Sequence, residues 1–265
     1  MNTFRFMPEG WNEEVENLSL QKIQKYKDEN RTVQGIVQSC DEQYNLHIQL
    51  GNEIEGIIPR SEVENIQEGL PDERLCTGKV HKYVQFKIGN IENDNKVVLS
   101  RKSVQQEASQ YIKNTMQVGE QVTGIVKNIR PYGAFIEIGG GIVGLAHIED
   151  LSVARIKTPY ERLKIGQKVK VVVKSIDRYT GKVNLSYKET LGTWEENAEK
   201  FSTGMKVEGI IRETEKNKNG IFIELTPNLV GMSEYEEGLQ YGQTVDVYIK
   251  KIDTQKKKIK LSIIE

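Results

Sequence analysis

Residues 121–188 read QVTGIVKNIRPYGAFIEIGGGIVGLAHIEDLSVARIKTPYERLKIGQKVKVVVKSIDRYTGKVNLSYK, and two other parts of the chain are edited copies of this stretch. Residues 122–129 alternate apolar and polar side chains, the two-residue period of a strand. Pro131, Tyr132 and Gly133 break the pattern, and 134–138 resumes it. Gly139, Gly140 and Gly141 form a turn before a third apolar run at 142–146. Residues 149–164 are polar and irregular, with room for a short helix. Alternation returns at 168–176 and, past a Thr180-Gly181 turn, at 182–187. Five short strands with one long interruption after the third predict a small closed barrel of the OB type.

The chemistry-bearing side chains sit at strand ends. Tyr132 and Phe135 flank the start of the second strand, His147 ends the third, Asp177 ends the fourth and Lys182 opens the fifth. Aromatics interleaved with cations on such a barrel make a stacking platform for unpaired bases, worth roughly 1–3 kcal/mol per base whatever the sequence. The bland alternative puts Phe135 in the barrel core and leaves Tyr132 as an ordinary loop residue. The period of two separates them: if Ile136 and Ile138 point inward, Phe135 points outward.

The motifs Gly124-Ile-Val, Tyr132-Gly-Ala-Phe135, Gly144-Leu-Ala-His147-Ile, Leu163-Lys-Ile-Gly166-Gln-Lys-Val and Val183-Asn-Leu-Ser186 run through the whole stretch in order. They resemble the S1 RNA-binding domain, the repeated unit of bacterial ribosomal protein S1. The resemblance implies that nucleic acid lies across the face carrying Tyr132, Phe135, His147, Asp177 and Lys182. Tyr132 stands where many members carry phenylalanine, which keeps a stacking ring.

The chain has 265 residues, 37% hydrophobic and 28% charged, which suits one to three small soluble domains. No run approaches the roughly 20 apolar residues of a membrane span, and the first residues, MNTFRFMPEGWNEE, lack a signal-peptide core. Cys40 and Cys76 are too few and too far apart for a zinc cluster, and read as reduced thiols of a cytoplasmic protein. The net charge of −1 hides an asymmetry. Residues 117–190 hold 12 basic and 7 acidic side chains, net +5, while residues 31–102 hold 9 and 11, net −2. The positive field and the aromatic pair thus fall on the same copy. Lys127, Arg130, Lys174, Arg178 and Lys182 are its candidate phosphate contacts.

In chain order, the expected organisation is mainly β, with three tandem five-stranded OB barrels joined by short amphipathic helices. Residues 1–29 are a tail and helix with Trp11, Val15 and Leu18 on one face. Residues 30–102 are the first barrel, in which His47 takes the place of Phe135, Pro59 that of His147, and Glu92 stands near the aspartate position, while Tyr44 keeps the first ring. This altered face predicts weak RNA binding at most, and a docking or spacer role. Residues 103–116 are a linker helix opened by a Ser103–Gln106 capping box, with Val104, Ala108 and Tyr111 as a packing stripe. Residues 117–190 are the second barrel and principal RNA site. Residues 191–202 are a second linker helix with a Thr193–Glu196 box and a Trp194, Ala198, Phe201 stripe. Residues 203–265 are the third barrel, whose segment between Gly231 and Gly242 spans 11 positions where Gly144 to Gly166 spans 22. It keeps Phe222, Asp253 and Lys258 as auxiliary RNA contacts, has Asn219 in place of the tyrosine and Glu234 in place of the histidine, and adds a lysine run at 256–258 and 260.

No GxxxxGK[ST] loop occurs, the three histidines do not cluster, and no nucleophile–base arrangement stands out. The expectation is a non-enzymatic binder of single-stranded RNA, mRNA foremost, without cofactor, metal or membrane. It would act in translation or its regulation, with the ribosome or another protein as further partners through the first and third barrels. The alternative is an adaptor in RNA turnover or transcription that docks a protein on its degenerate barrels.

Overall fold

The computed structural model describes residues 6–93, 95–214 and 220–264. The first part runs α1 (Leu20–Asp28), β1 (Val33–Cys40), β2 (Leu46–Gln49), β3 (Glu55–Ile58), α2 (Arg60–Val63), α3 (Glu73–Thr77), β4 (Tyr83–Asn93), β5 (Lys96–Ser100) and α4 (Arg101–Asn114). The middle part has β6 (Gln121–Arg130), β7 (Gly133–Gly139), β8 (Ile142–His147), β9 (Lys168–Ile176) and β10 (Val183–Ser186), with 3-10 turns at Ile148–Asp150 and Pro159–Glu161. The last part has α5 (Trp194–Ala198), β11 (Lys206–Thr214), β12 (Ile221–Thr226), β13 (Leu229–Ser233), β14 (Thr244–Asp253) and β15 (Lys258–Ile263).

The strands close three barrels, in the orders β1-β2-β3-β5-β4, β10-β8-β7-β6-β9 and β11-β12-β13-β15-β14. In each, the third and fifth strands pair in parallel: Gly56 opposes Val97, Leu145 opposes Asn184, and Met232 opposes Lys260. A parallel pair needs a long connection, and the interruption after the third strand belongs to it. Alternation then sorts side chains. On β9, Val169, Val171 and Val173 are buried while Lys168, Lys170 and Lys174 face solvent. Five closed strands leave little interior space, and glycine provides some of it. A Cβ on Gly231 would lie 2.6 Å from Leu261 Cδ1 and 2.7 Å from its Cγ; one on Gly56 would lie 2.5 Å from Leu99 Cδ1.

The chain divides into two compact units. One comprises Met1–Ile125, Glu137–Gly144 and Ile176–Val183. The other comprises Val126–Ile136, Leu145–Ser175 and Asn184–Glu265. The first unit holds the first barrel and a buried ion cluster. Arg101 donates to Glu9 at 2.6 and 2.9 Å and meets Glu64 at 2.7 Å. Glu9 also accepts from the Gln85 amide at 3.0 Å, and its own amide donates to Glu137 at 2.9 Å. These bonds pin the N-terminal segment, whose Phe6 packs on Val104 and Ala108 of α4 and meets Tyr111 edge-on at 6.2 Å. The α4 stripe therefore packs, as its spacing predicts.

Two local expectations give way in this unit. The Trp11–Val15–Leu18 stripe is not helical: α1 starts only at Leu20, capped by Ser19, and buries Ile23 and Tyr26. Leu18 is buried outside any helix, its amide bonding Leu50 O at 2.7 Å, while Val15 is exposed. A serine cap and a strand-like tie outcompete the helical period. Likewise the cap of α4 is Ser100, whose Oγ accepts from the Ser103 amide at 3.0 Å, so β5 runs directly into the helix.

The second unit holds the third barrel and the segment that follows β8. Their contact is polar and largely buried. Glu224 receives Arg162 at 2.5 Å and also pairs with Arg212, which reaches Glu161. The Tyr241 hydroxyl bonds both Glu161 oxygens at 2.9 and 3.0 Å. The Ala154 amide donates to Pro227 O, and the Asn228 amide group holds Lys188 O and Gly192 O. The Thr193–Glu196 capping box forms as read, and Trp194 and Phe201 pack against the barrel core. Asn219 lies outside the described residues.

Gly231→Ala should destabilise the third barrel by about 1–3 kcal/mol, because Leu261 has no room to yield in a closed core. A thermal melt checks it, and an unchanged midpoint would show that the wall is looser than the geometry requires.

Candidate nucleic-acid interface

The candidate platform is built at the junction of β6, β7 and β8. Ala134, Ile136 and Ile138 are all fully buried, so they fill the barrel. Phe135, between them on β7, is forced to the outer side and is only half-buried. Tyr132, in the turn before β7, is 50% exposed. The two rings meet edge-on, with centroids 6.1 Å apart and an interplanar angle of 82°. That geometry is favourable for an aromatic pair and leaves ring faces open to a third π-system.

His147 is brought to the same place by backbone contacts. The Ile148 amide donates to Tyr132 O at 2.8 Å. Gly133 lies against the end of β8 so closely that a Cβ there would be 2.4 Å from Ala146 O and 3.1 Å from His147 Cα. Glycine is the residue that fits this crossing. The His147 side chain is exposed, with Nδ1 approached by the Glu149 amide at 3.5 Å and standing 3.8 Å from the Glu149 carboxylate.

Lys127 and Arg130 are exposed on β6. Lys174 donates to both oxygens of buried Asp150, at 2.7 and 2.8 Å, and Lys188 stands 3.5 Å from the same carboxylate. Sequence reasoning does not single out Asp150; its one signal is an acidic pair directly after Ile148, next to His147.

In the other unit, the turn between β9 and β10 holds Asp177, Arg178 and Lys182. The Asp177 carboxylate accepts from the Tyr179 amide at 2.9 Å, the Thr180 amide at 3.1 Å and the Thr180 hydroxyl at 2.5 Å. The Thr180 side chain and amide bonds hold this carboxyl below its usual range. It therefore organises the turn. Arg178 donates to Ile112 O, Lys113 O and Met116 O, carbonyls at and just past the C-terminal end of α4. Lys182 is partly exposed.

The faces of the other barrels differ. In the first, Arg60 lies over the Tyr44 ring at 4.7 Å. His47 is clamped between Glu55 at 2.6 Å and Asp41 at 3.2 Å. Burial alone would lower the His47 pKa, but the two carboxylates outweigh it and raise it. Burial would likewise raise Asp41, yet bonds from Asn45 and His47 bring it down to about 2. In the third barrel, Phe222 on β12 opposes exposed Met232, which opposes Lys260, in one row across three strands. Asp253 accepts from the Lys256 amide at 3.0 Å, Lys258 is exposed, and Lys257 pairs with Glu195 at 2.7 Å.

Closed five-stranded barrels that present paired aromatics beside a histidine and cations define a nucleic-acid-binding class of OB protein. A family model of the S1 RNA binding domain matches residues 26–102 and 115–188, and the chain belongs to that family. It is 35% identical over 197 residues to small ribosomal subunit protein bS1 of Staphylococcus aureus (strain MRSA252), covering 68% of this chain and 50% of the relative. It is 31% identical over 238 residues to bS1 of Chlamydia muridarum, covering 84% and 41%. With bS1 of Rhizobium meliloti the identity is 31% over 225 residues, covering 78% and 38%. The chain thus spans about half the length, or less, of these relatives. The third barrel lies beyond the residues matched by the family model but has the same strand order.

An NMR titration of His47 should give a pKa above the ordinary 6.5 or so of a free imidazole, and Glu55→Gln should bring it down. Since the folded value is the raised one, this clamp adds stability that is complete below about pH 6.5. The increment fades as pH climbs through the folded pKa. A His47→Asn variant should lose that part of the pH dependence.

Proposed function

We propose that this chain binds single-stranded RNA chiefly through its second barrel and works in translation or its regulation. The observation that carries the reading is the outward pair Tyr132 and Phe135 at 6.1 Å, set beside exposed His147 on the copy with net +5. Bases stack on the two rings, the exposed His147 ring bonds a sugar or base edge, and Lys127 and Arg130 hold phosphates. Family resemblance adds Asp177 and Lys182; the bonds within the turn make Asp177 a support and leave Lys182 as the contacting group. Lys174 and Arg178 hold the fold. Phe222 and Lys258 extend the track on the third barrel, with Asp253 ordering the hairpin beneath them. The first barrel's face, closed by its own ion pairs, has little to offer a base. The names of the relatives support a role with the small ribosomal subunit.

Tyr132→Ala and Phe135→Ala in the full chain should each cost about 1–3 kcal/mol of affinity for an unstructured oligouridylate. Both should leave the melting curve nearly unchanged, since neither ring fills the barrel. Unchanged RNA affinity in a folded Phe135→Ala protein would sink the platform.

The salt response should be modest. With Lys127, Arg130 and Lys182 as phosphate contacts, log K should fall with log salt at a slope of roughly −2, at about −0.7 per single-strand phosphate. Arg130→Ala should flatten the slope by about 0.7. Arg178→Ala should leave the slope alone and lower the melting temperature.

A further inference from the structure

Tyr179 is 91% exposed at the tip of the β9–β10 turn. An exposed tyrosine on a mobile tip needs no explanation. This one stands on a tip that is fastened from both sides. Its own amide donates to Asp177 at 2.9 Å, and the next residue gives Asp177 two more bonds. Arg178, directly before it, is tied to three carbonyls of α4 and the residues just after it, at 2.6, 3.1 and 2.5 Å. The Gly181 amide closes the turn onto Asp177 O at 2.7 Å. Gly181 has φ +77, and a Cβ there would be 3.1 Å from Lys113 Cε, so the chain also presses against the lysine stem. The backbone that carries the ring is thus ordered before any ligand arrives, and a ligand has little ordering entropy left to supply.

The surroundings select the ligand. Lys182 and Tyr179 both reach solvent on this short turn, and Lys113 lies alongside at Gly181. A wet, flat π-face beside cationic side chains suits a nucleobase with its attached phosphate. A protein partner would ask for a contiguous apolar patch, and the other residues of the turn, Asp177, Arg178, Thr180 and Lys182, are polar.

We propose that Tyr179 is an additional base-stacking site, taking one unpaired nucleobase of an RNA strand whose phosphate is met by Lys182 or Lys113. The proposal rests on the RNA-binding reading above, and the test separates the two. Full-length protein is titrated with oligouridylates of about 5 and about 12 nucleotides, lengths within the range that a single OB barrel occupies. Tyr179→Ala should leave the short RNA unaffected and weaken the long one roughly tenfold. Tyr179→Phe should restore the affinity, because the ring and not the hydroxyl stacks. Tyr179→Trp should show fluorescence quenched by the long RNA only. If Tyr132→Ala weakens binding while Tyr179→Ala changes neither length and the fluorescence of the tryptophan variant stays constant, the proposal is overturned and the platform stands. If neither alanine variant matters, the RNA reading itself falls. If Tyr179→Ala spares both RNAs but weakens sedimentation with purified small ribosomal subunits, the tip is a protein contact and the proposal is wrong.

Discussion

The packing of a fifth-strand leucine against a third-strand glycine, Leu99 on Gly56 and Leu261 on Gly231, is the contact on which barrel closure depends. It brings two strands that are far apart in sequence into a short parallel pairing. Once the wall is shut, every strand residue has one of two addresses. Interior positions are few and take mostly Val, Ile and Leu, with Ala134 in the second barrel and Phe86 in the first. A bulky residue on the other phase is kept out of the interior when the inward positions beside it are already filled. Phe135 is on the outside for that reason: Ala134, Ile136 and Ile138 occupy the inside. The wall therefore pre-organises the platform without any bond to the ring.

Charge is distributed by a different rule. A cation near a buried carboxylate or a helix C-terminus is captured by it, because the unpaired alternative is costly in a medium of reduced dielectric. Asp150 captures Lys174, and the end of α4 captures Arg178. The same rule acts with opposite effect on the first barrel, where Asp41 and Glu55 enclose His47. Three copies of one strand pattern thus present three electrostatic surfaces, and among the described residues the second alone combines a positive excess with an open aromatic pair.

Strand periodicity, turn glycines and motif order made the barrels legible, since each is a local consequence of closure that the sequence repeats three times. The phase of Phe135 was legible too, as a conditional, from Ile136 and Ile138. What was not legible is the outcome of competition between residues far apart in the chain. Nothing near Arg178 announces that α4 ends beside it, with Met116 standing 62 positions back. Nothing in Trp11, Val15 and Leu18 reveals that Leu50 O will take the Leu18 amide. Net charge per copy likewise counts Lys174 and Arg178 without revealing that Asp150 and the end of α4 bond them.

The polar joint between the segment after β8 and the third barrel has a bearing on how such a chain is divided. Repeats of this kind are usually regarded as beads that can be removed, duplicated or swapped. Here Arg162 and Glu161, which belong to one bead, find their counter-charges Glu224 and Arg212 on the next. A cut near residue 203 would strand a guanidinium and a carboxylate in a surface shaped to exclude water. Recombination at that boundary would carry the same penalty unless both sides of the joint travelled together. The segment after β8 and the third barrel are in this sense one module, and the third barrel, whose own loop from Gly231 to Gly242 is short, is covered by that longer segment.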